Sequence, residues 1–154
     1  MNAIRDALDV EDIDLDAELD SGDAVLGRLA SMLARRIGLP GDDILRGLLV
    51  RERLGSTALG HGVAIPHARV AACTREGAAL VRTRAPVAFN APDGRPVSLF
   101  LGMVVPAQAG ERHLNLLAAA AELLGNRAHR MALVTATSPA DVHKLLASLP
   151  DSPV

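Results

Sequence analysis

The sequence predicts an α/β fold in which helices and strands alternate around one sheet. Segments with helical spacing of apolar residues alternate with short strand-like runs, and the connections between them are short. The chain has 154 residues, of which 49% are hydrophobic. A chain of this length buries a substantial core, since about 70% of the unfolded surface leaves water in domains of ~150 residues. We therefore expect a single domain over residues 1–154.

Two periodic patterns define the predicted elements. Acids alternate with apolar residues from position 13 to 17, which is typical of a half-buried strand. Apolar residues recur at helical spacing after the N-cap Ser21, until Gly38 and Pro40 end the run. The predicted elements are, in chain order, a strand at 13–17, helices at 21–37 and 41–53, strands at 63–65, 78–83 and 98–105, and helices at 110–124, 127–135 and 139–149.

The composition excludes several classes of protein. No stretch approaches the ~18 uninterrupted apolar residues of a membrane-spanning helix, so we expect no membrane insertion. The amino terminus has no apolar signal core, and the single cysteine, Cys73, cannot form an internal disulfide, so we expect a cytoplasmic protein. Phe89 and Phe100 are the only aromatic residues, too few for the stacking platforms that hold single-stranded nucleic acid. We therefore expect no nucleic-acid partner.

Residues with reactive side chains are concentrated in the run RERLGSTALGHGVAIPHAR. Pro66 cannot donate a ladder hydrogen bond and is expected to end the buried strand, which leaves His67 at a strand end, where α/β sheets hold reactive groups. A neutral imidazole, with an ordinary pKa near ~6.5, is a nucleophile. Arg51, Arg53 and Arg69 can neutralise the oxygens of a phosphoryl group. The pattern alone predicts either a phosphoryl-accepting histidine or a structural one.

The same run resembles the phosphorylation-site signature of the enzyme IIA domains of the bacterial phosphoenolpyruvate-dependent sugar phosphotransferase system. The similarity is to the fructose/mannitol class, and most closely to its nitrogen-regulatory members. It extends over almost the whole chain, including SMLARRIGLP before the site and PVAFNAPDGRPVSLFLGMVVPAQAGERHLNLLAAAAELL after it. The resemblance implies a mannitol-class enzyme IIA-like fold, with a mixed β-sheet flanked by helices on both faces.

The resemblance also implies roles for three residues of this chain. His67 matches the histidine that receives the phosphoryl group, on its Nε2 nitrogen. Arg51 matches the arginine that stabilises the phosphoryl charge. His113, in ERHLNLL, matches a second active-site histidine that lies near the first and positions or hydrogen-bonds the phosphoryl group. The implied chemistry uses no metal and no cofactor.

The implied partner is a phosphorylated histidine carrier protein, HPr-like or NPr-like, which would donate the phosphoryl group. We expect a phosphotransferase component with a mainly regulatory role in nitrogen or metabolic control, acting through phosphorylation-dependent binding of target proteins. The alternative is a fructose/mannitol-type transport component that passes the phosphate to a IIB domain. Leu54, Leu59 and Ile65 are candidates for a weak partner interface, although apolar residues in such runs are usually buried in the core.

One further alternative is a zinc site. His61, His67 and His113 would converge on the metal as three imidazoles and leave one position open for water. The sequence has no clustered carboxylates that strengthen this reading. His61 also stands where the nitrogen-regulatory members often have asparagine, while Asn115 replaces a frequent histidine and Arg69 a frequent lysine, and these departures leave fine specificity open.

Overall fold

The structure is a computed structural model that describes residues 3–108 and 111–149, except for the side chains of residues 111–114. Its elements, in chain order, are α1 (Ala3–Ala7), a short 3₁₀ helix (Val10–Asp12), β1 (Ile13–Ala17), α2 (Gly22–Ile37), α3 (Gly41–Leu54), β2 (Ala58–Gly60), β3 (Val63–Ala64), β4 (His67–Val70), β5 (Gly77–Val87), β6 (Val97–Pro106), α4 (Glu111–Gly125), α5 (Arg127–Thr135) and α6 (Pro139–Ser148).

The strands form one mixed six-stranded sheet. Its order is β1-β5-β6-β3-β2, and β4 pairs with β6 beside β3. The pairs β1–β5, β3–β6 and β4–β6 are parallel, whereas β5–β6 and β2–β3 are antiparallel. The prediction of an α/β fold with a mixed sheet is confirmed.

Helices cover both faces of the sheet because alternate strand residues point to opposite sides. On β6, Phe100 and Val104 pack with α2 and α3 in one core. Leu99, Leu101 and Met103 pack on the other face with residues of α1, α4, α5 and α6. The predicted flanking of the sheet on both faces is therefore confirmed. Within residues 3–108 and 111–149, the structure contains no helix with the length and apolarity of a membrane span.

The capping residues act as the sequence predicts. The Ser21 hydroxyl accepts a hydrogen bond from the Ala24 amide at 3.1 Å, and Gly38 ends α2 with a left-handed φ of 73°. The sequence patterns did not predict α1, the 3₁₀ helix or β2. Each has five residues or fewer, which is too short for an apolar period to repeat.

The predicted strand ends before Pro66, as β3, but its pairing with β6 resumes after the proline in β4, which the sequence patterns did not predict. Ala64 pairs with Phe100 and His67 with Met103, so β3 and β4 run along β6 in one continuous register. Pro66 has no N–H to donate, but its carbonyl accepts a hydrogen bond from the Met103 amide at 2.9 Å. The chain therefore continues along β6 past the proline, and His67 is the first residue of β4.

A close contact between α3 and β4 brings together the two elements that carry Arg51 and His67. A Cβ added to Gly47 would lie 2.9 Å from the Cβ of Ala68, closer than such atoms approach. Glycine at position 47 therefore lets the helix approach the strand. Arg51 lies one turn further along α3, on the same side of the helix.

We predict opposite effects of one substitution at two helical glycines. Gly47→Ala is expected to lower the free energy of unfolding by about 1 kcal/mol, because Ala68 is fixed in the sheet and the helix must move away. Gly27→Ala in α2, where nothing lies within 4 Å of the added Cβ, is expected to raise it by about 0.5–1 kcal/mol. Urea denaturation measures both. Equal stabilisation of the two variants would contradict the close contact.

Candidate functional site

A groove of about 730 Å³ lies between α3 and β4. Arg51 lines it from the helix, and His67 and Arg69 line it from the strand. Three residues that the sequence singled out therefore meet at one site. Arg53, the fourth, is exposed and is not among the lining residues.

Apolar residues near the groove divide between surface and core. Leu54 is 81% exposed and Leu59 is 42% exposed, whereas Ile65 is only 5% exposed. Burial in the core, the usual expectation for these three residues, is correct for Ile65 and wrong for Leu54 and Leu59. Leu54 lines the groove, next to the half-exposed Val50 one turn earlier in α3.

The ring of His67 is held by a hydrogen bond to the backbone two residues earlier. Its Nδ1 lies 2.9 Å from the carbonyl oxygen of Ile65. A carbonyl oxygen only accepts hydrogen bonds, so Nδ1 must carry the proton. In the neutral ring, Nε2 then has a free lone pair. Among the described residues, Nδ1 is the atom of this ring that forms a hydrogen bond, and Nε2 forms none.

The surroundings of His67 favour its neutral form. Burial of the half-buried ring is the largest cause that lowers its pKa from the ordinary 6.5, and the positive charges of Arg51 and Arg69 lower it further. The hydrogen bond to Ile65 and the negative charge of Glu52 act in the opposite direction. The net lowering leaves Nε2 unprotonated at neutral pH, as a nucleophile requires.

Arg51 lies in the last turn of α3 and is anchored to the loop that follows. Its Nη1 donates a hydrogen bond to the carbonyl oxygen of Gly55 at 2.8 Å. A guanidinium has five N–H donors in a fixed fork, so this contact orients the group and leaves further donors for an anion in the groove.

The position of His113 is known only at the level of the backbone. The residue lies in the first turn of α4, and its side chain is outside the described part of the structure. The register of β4 beside Met103 places His67 on the sheet face that α4 covers. His67 therefore lies on the face of the sheet that is covered by α4, the helix that contains His113.

His61 lies at the other end of β3 from His67. It occupies the turn between β2 and β3 with a φ of 56°, and its backbone N–H donates to the Asp93 carboxylate at 2.8 Å. About 13 Å of extended chain separates Val63 from His67, so His61 does not approach the groove. No cluster of three or more His, Cys, Asp or Glu side chains able to hold a metal ion occurs among the residues with described side chains.

Glu52 and Thr57 do not line the groove, but the charge of Glu52 acts on His67, and the sequence patterns did not single out either residue. The Glu52 carboxylate accepts a hydrogen bond from the Thr57 backbone N–H at 3.1 Å and a second one from the Thr57 hydroxyl. The available signal was a glutamate between two arginines, followed five residues later by a threonine. A glutamate between Arg51 and Arg53 is also typical of a solvated helix end, so this signal did not distinguish Glu52 from a surface residue.

The sequence and the fold have counterparts among known proteins. The sequence model of the phosphoenolpyruvate-dependent sugar phosphotransferase system EIIA 2 family matches residues 6–149. The chain belongs to this family, the type-2 enzyme IIA domains of the phosphotransferase system.

Individual relatives are similar over most of the chain. A nitrogen regulatory protein of Pseudomonas aeruginosa is 42% identical over 101 residues, which is 65% of this chain and 66% of that protein. The crystal structure of nitrogen regulatory protein IIA-Ntr from Neisseria meningitidis has a TM-score of 0.88 and 39% identity, and the match covers 93% of this chain and 98% of that one. Enzyme IIA for mannitol from Escherichia coli, solved in complex with phosphorylated IIB, has a TM-score of 0.76 at 19% identity over 92% of this chain and 98% of that one, which shows a shared fold.

We predict that His67 titrates below pH 6.5. Between its folded pKa and about 6.5 the unfolded chain binds a proton that the folded protein does not, so this residue lowers stability as the pH falls through that window. NMR titration of the ring, assigned by the signal lost in His67→Asn, measures the midpoint. The urea-unfolded chain is the control and should titrate near 6.5. A folded midpoint above the unfolded one would contradict the described surroundings of the ring.

Proposed function

We propose that this chain is a phosphohistidine carrier, with one enzyme IIA-type domain over residues 1–154. It accepts a phosphoryl group on Nε2 of His67 from a phosphorylated histidine carrier protein, HPr-like or NPr-like. In the cytoplasm, phosphorylation then controls the binding of target proteins in nitrogen or metabolic regulation. The observation that carries the proposal is the hydrogen bond from Nδ1 of His67 to the Ile65 carbonyl, because it leaves Nε2 as a nucleophile in a groove lined by arginines.

The transfer proceeds in line between two imidazole rings. The lone pair on Nε2 of His67 forms the new N–P bond while the old one breaks, and the carrier's ring keeps the electron pair of the broken bond. In the transition state, negative charge is spread over three equatorial oxygens, so catalysis depends on positioning and charge rather than on proton transfer. Arg51 neutralises these oxygens, and His113 orients the phosphoryl group or donates a hydrogen bond to it.

The exposed apolar residues beside the groove support a docking role for this surface. A carrier that delivers a phosphoryl group and leaves again needs a small, weak interface. Val50 and Leu54 are 52% and 81% exposed on the wall of the groove that holds His67, so a docked carrier would cover them. A phosphoryl group adds nearly two negative charges at neutral pH, and it would change the charge of any interface over this surface.

Names of the relatives favour regulation over transport. The Pseudomonas and Neisseria proteins are both nitrogen regulatory proteins. Transport remains a second candidate, because the mannitol enzyme IIA that shares this fold is found in complex with phosphorylated IIB. The two candidates differ in one measurement. Phosphorylated protein that passes its label to a purified IIB domain as fast as it receives it would favour transport.

The first test is labelling of the histidine. With phosphoenolpyruvate, enzyme I and a histidine carrier protein, the wild-type chain is expected to form an acid-labile phosphoryl adduct. His67→Ala should abolish the adduct because it removes the nucleophile. His61→Ala is the matched control and should keep most of the labelling, since His61 lies away from the groove. Full labelling of His67→Ala would reject the assignment.

The second test concerns Arg51. Arg51→Ala is expected to slow phosphorylation roughly 100- to 1,000-fold, the usual cost of one lost donor to a charged transition state. Arg51→Lys should recover part of the rate, because it restores the charge without the planar fork. Rapid-quench measurement of the labelling rate gives both values, and circular dichroism checks that the variants fold. An unchanged rate in Arg51→Ala would remove this residue from the site.

A further inference from the structure

Glu52 is connected to His67 through a chain of four hydrogen bonds. The Glu52 carboxylate accepts hydrogen bonds from the backbone N–H and the hydroxyl of Thr57. The Thr57 carbonyl accepts one from the Ile65 N–H at 3.0 Å, and the Ile65 carbonyl accepts one from Nδ1 of His67 at 2.9 Å. Ile65 is thus held at its N–H by Thr57, while its carbonyl holds the histidine ring.

We propose that Glu52 is a positioning residue, which fixes Thr57 and Ile65 so that His67 keeps its proton on Nδ1 and its Nε2 in place to receive phosphorus. The proposal rests on the proposed function for its consequence in phosphoryl transfer. The arrangement of the ring itself is a separate claim that can be tested in the unphosphorylated protein.

The contacts of Thr57 explain why a carboxylate is needed at position 52. Thr57 is only 6% exposed, so water does not readily replace a lost partner, and an unsatisfied buried donor is costly. Two donors of one residue point at the same side chain, and the two oxygens of a carboxylate can accept both. An amide at position 52 offers a single acceptor oxygen and therefore satisfies this pair less well.

The charge of Glu52 also suits the change that His67 undergoes. The ring enters the transfer neutral, with its proton on Nδ1, and formation of the Nε2–P bond turns it into an N-phosphoimidazolium without moving that proton. The positive charges of Arg51 and Arg69 oppose charge on the ring, whereas the negative charge of Glu52 and the Ile65 carbonyl favour it. Glu52 is thus the ionised side chain that offsets the two arginines among the described groups acting on the ring.

The first experiment uses Glu52→Gln, which keeps the shape and removes the charge. The NMR titration midpoint of His67 is expected to fall below the wild-type midpoint, because the ring loses the negative charge that favours its protonated form. Phosphorylation by the carrier is expected to slow about tenfold. Glu11→Gln, at an exposed acid of the 3₁₀ helix remote from the groove lining, should change neither quantity.

The second experiment separates position from charge. Thr57→Val removes one donor to Glu52 and keeps both the side-chain shape and the carboxylate, so the rate should fall while the titration midpoint of His67 stays closer to the wild-type value than in Glu52→Gln. Thr57→Ser keeps the hydroxyl and should retain nearly the wild-type rate.

The outcomes separate this proposal from a structural role and from the proposed function. A Glu52→Gln protein that loses thermal stability but keeps the wild-type midpoint of His67 would overturn the proposal, as would a wild-type rate in both Glu52→Gln and Thr57→Val. If the wild-type chain accepts no phosphoryl group but the midpoint moves as expected, the proposed function fails and the link between Glu52 and His67 is supported.

Discussion

The site depends on one hydrogen bond, from Nδ1 of His67 to the carbonyl of Ile65. This carbonyl is available because of how the strand pairs. The carbonyls of Gly62 and Pro66 accept hydrogen bonds from β6, at Leu99 and Met103, whereas the Ile65 N–H points to the opposite side, toward Thr57. Polar groups of one strand residue face the same side, so the Ile65 carbonyl also points away from β6. Among the hydrogen bonds of the described residues, β2, which begins at Ala58, provides no partner for this carbonyl, which leaves it to the histidine ring.

The sheet supplies the second constraint, the approach of α3 to β4. Gly47 meets Ala68 without a side chain in between, and the close approach puts the end of α3 beside the start of β4. Arg51 and Glu52 follow in the last turn of that helix. Arg51 donates a hydrogen bond to Gly55 in the next loop, and Glu52 accepts one from Thr57 in the same loop. The loop after α3 is therefore held at two points, one by Arg51 and one by Glu52, and the charges of both side chains act on His67.

Sequence patterns predicted the parts of this architecture that are encoded locally. The helix that begins after Ser21 and ends at Gly38 was predicted correctly, because both boundaries depend on side chains or glycines next to the helix ends. β4 was missed because the missing N–H of Pro66 was taken as the end of the strand. Whether pairing resumes after a proline depends on β6, more than thirty residues away, which accommodates the carbonyl of Pro66 through Met103.

Prediction of the site was limited in the same way. Motif resemblance was enough to select Arg51 and His67, and the structure brings both to one groove. Glu52 was not selected, because its importance comes from Thr57 and Ile65 rather than from its place in the run. Ile65 reaches Thr57 only after β2 and β3 pair, and no periodicity within α3 encodes that contact.

In the proposed transfer, the charges around His67 act on both the free and the phosphorylated ring. A ring that is hard to protonate keeps Nε2 unprotonated at neutral pH, but strong opposition to positive charge would also destabilise a phosphorylated ring. Arg51 compensates, since the cation that disfavours a charged ring attracts the oxygens of the phosphoryl group bound to it. Its contact with Gly55 fixes the guanidinium before the anion arrives, which reduces the entropy lost on binding. In the proposed transfer, Glu52 would offset part of the positive charge that acts on the ring and so reduce the cost of phosphorylating it.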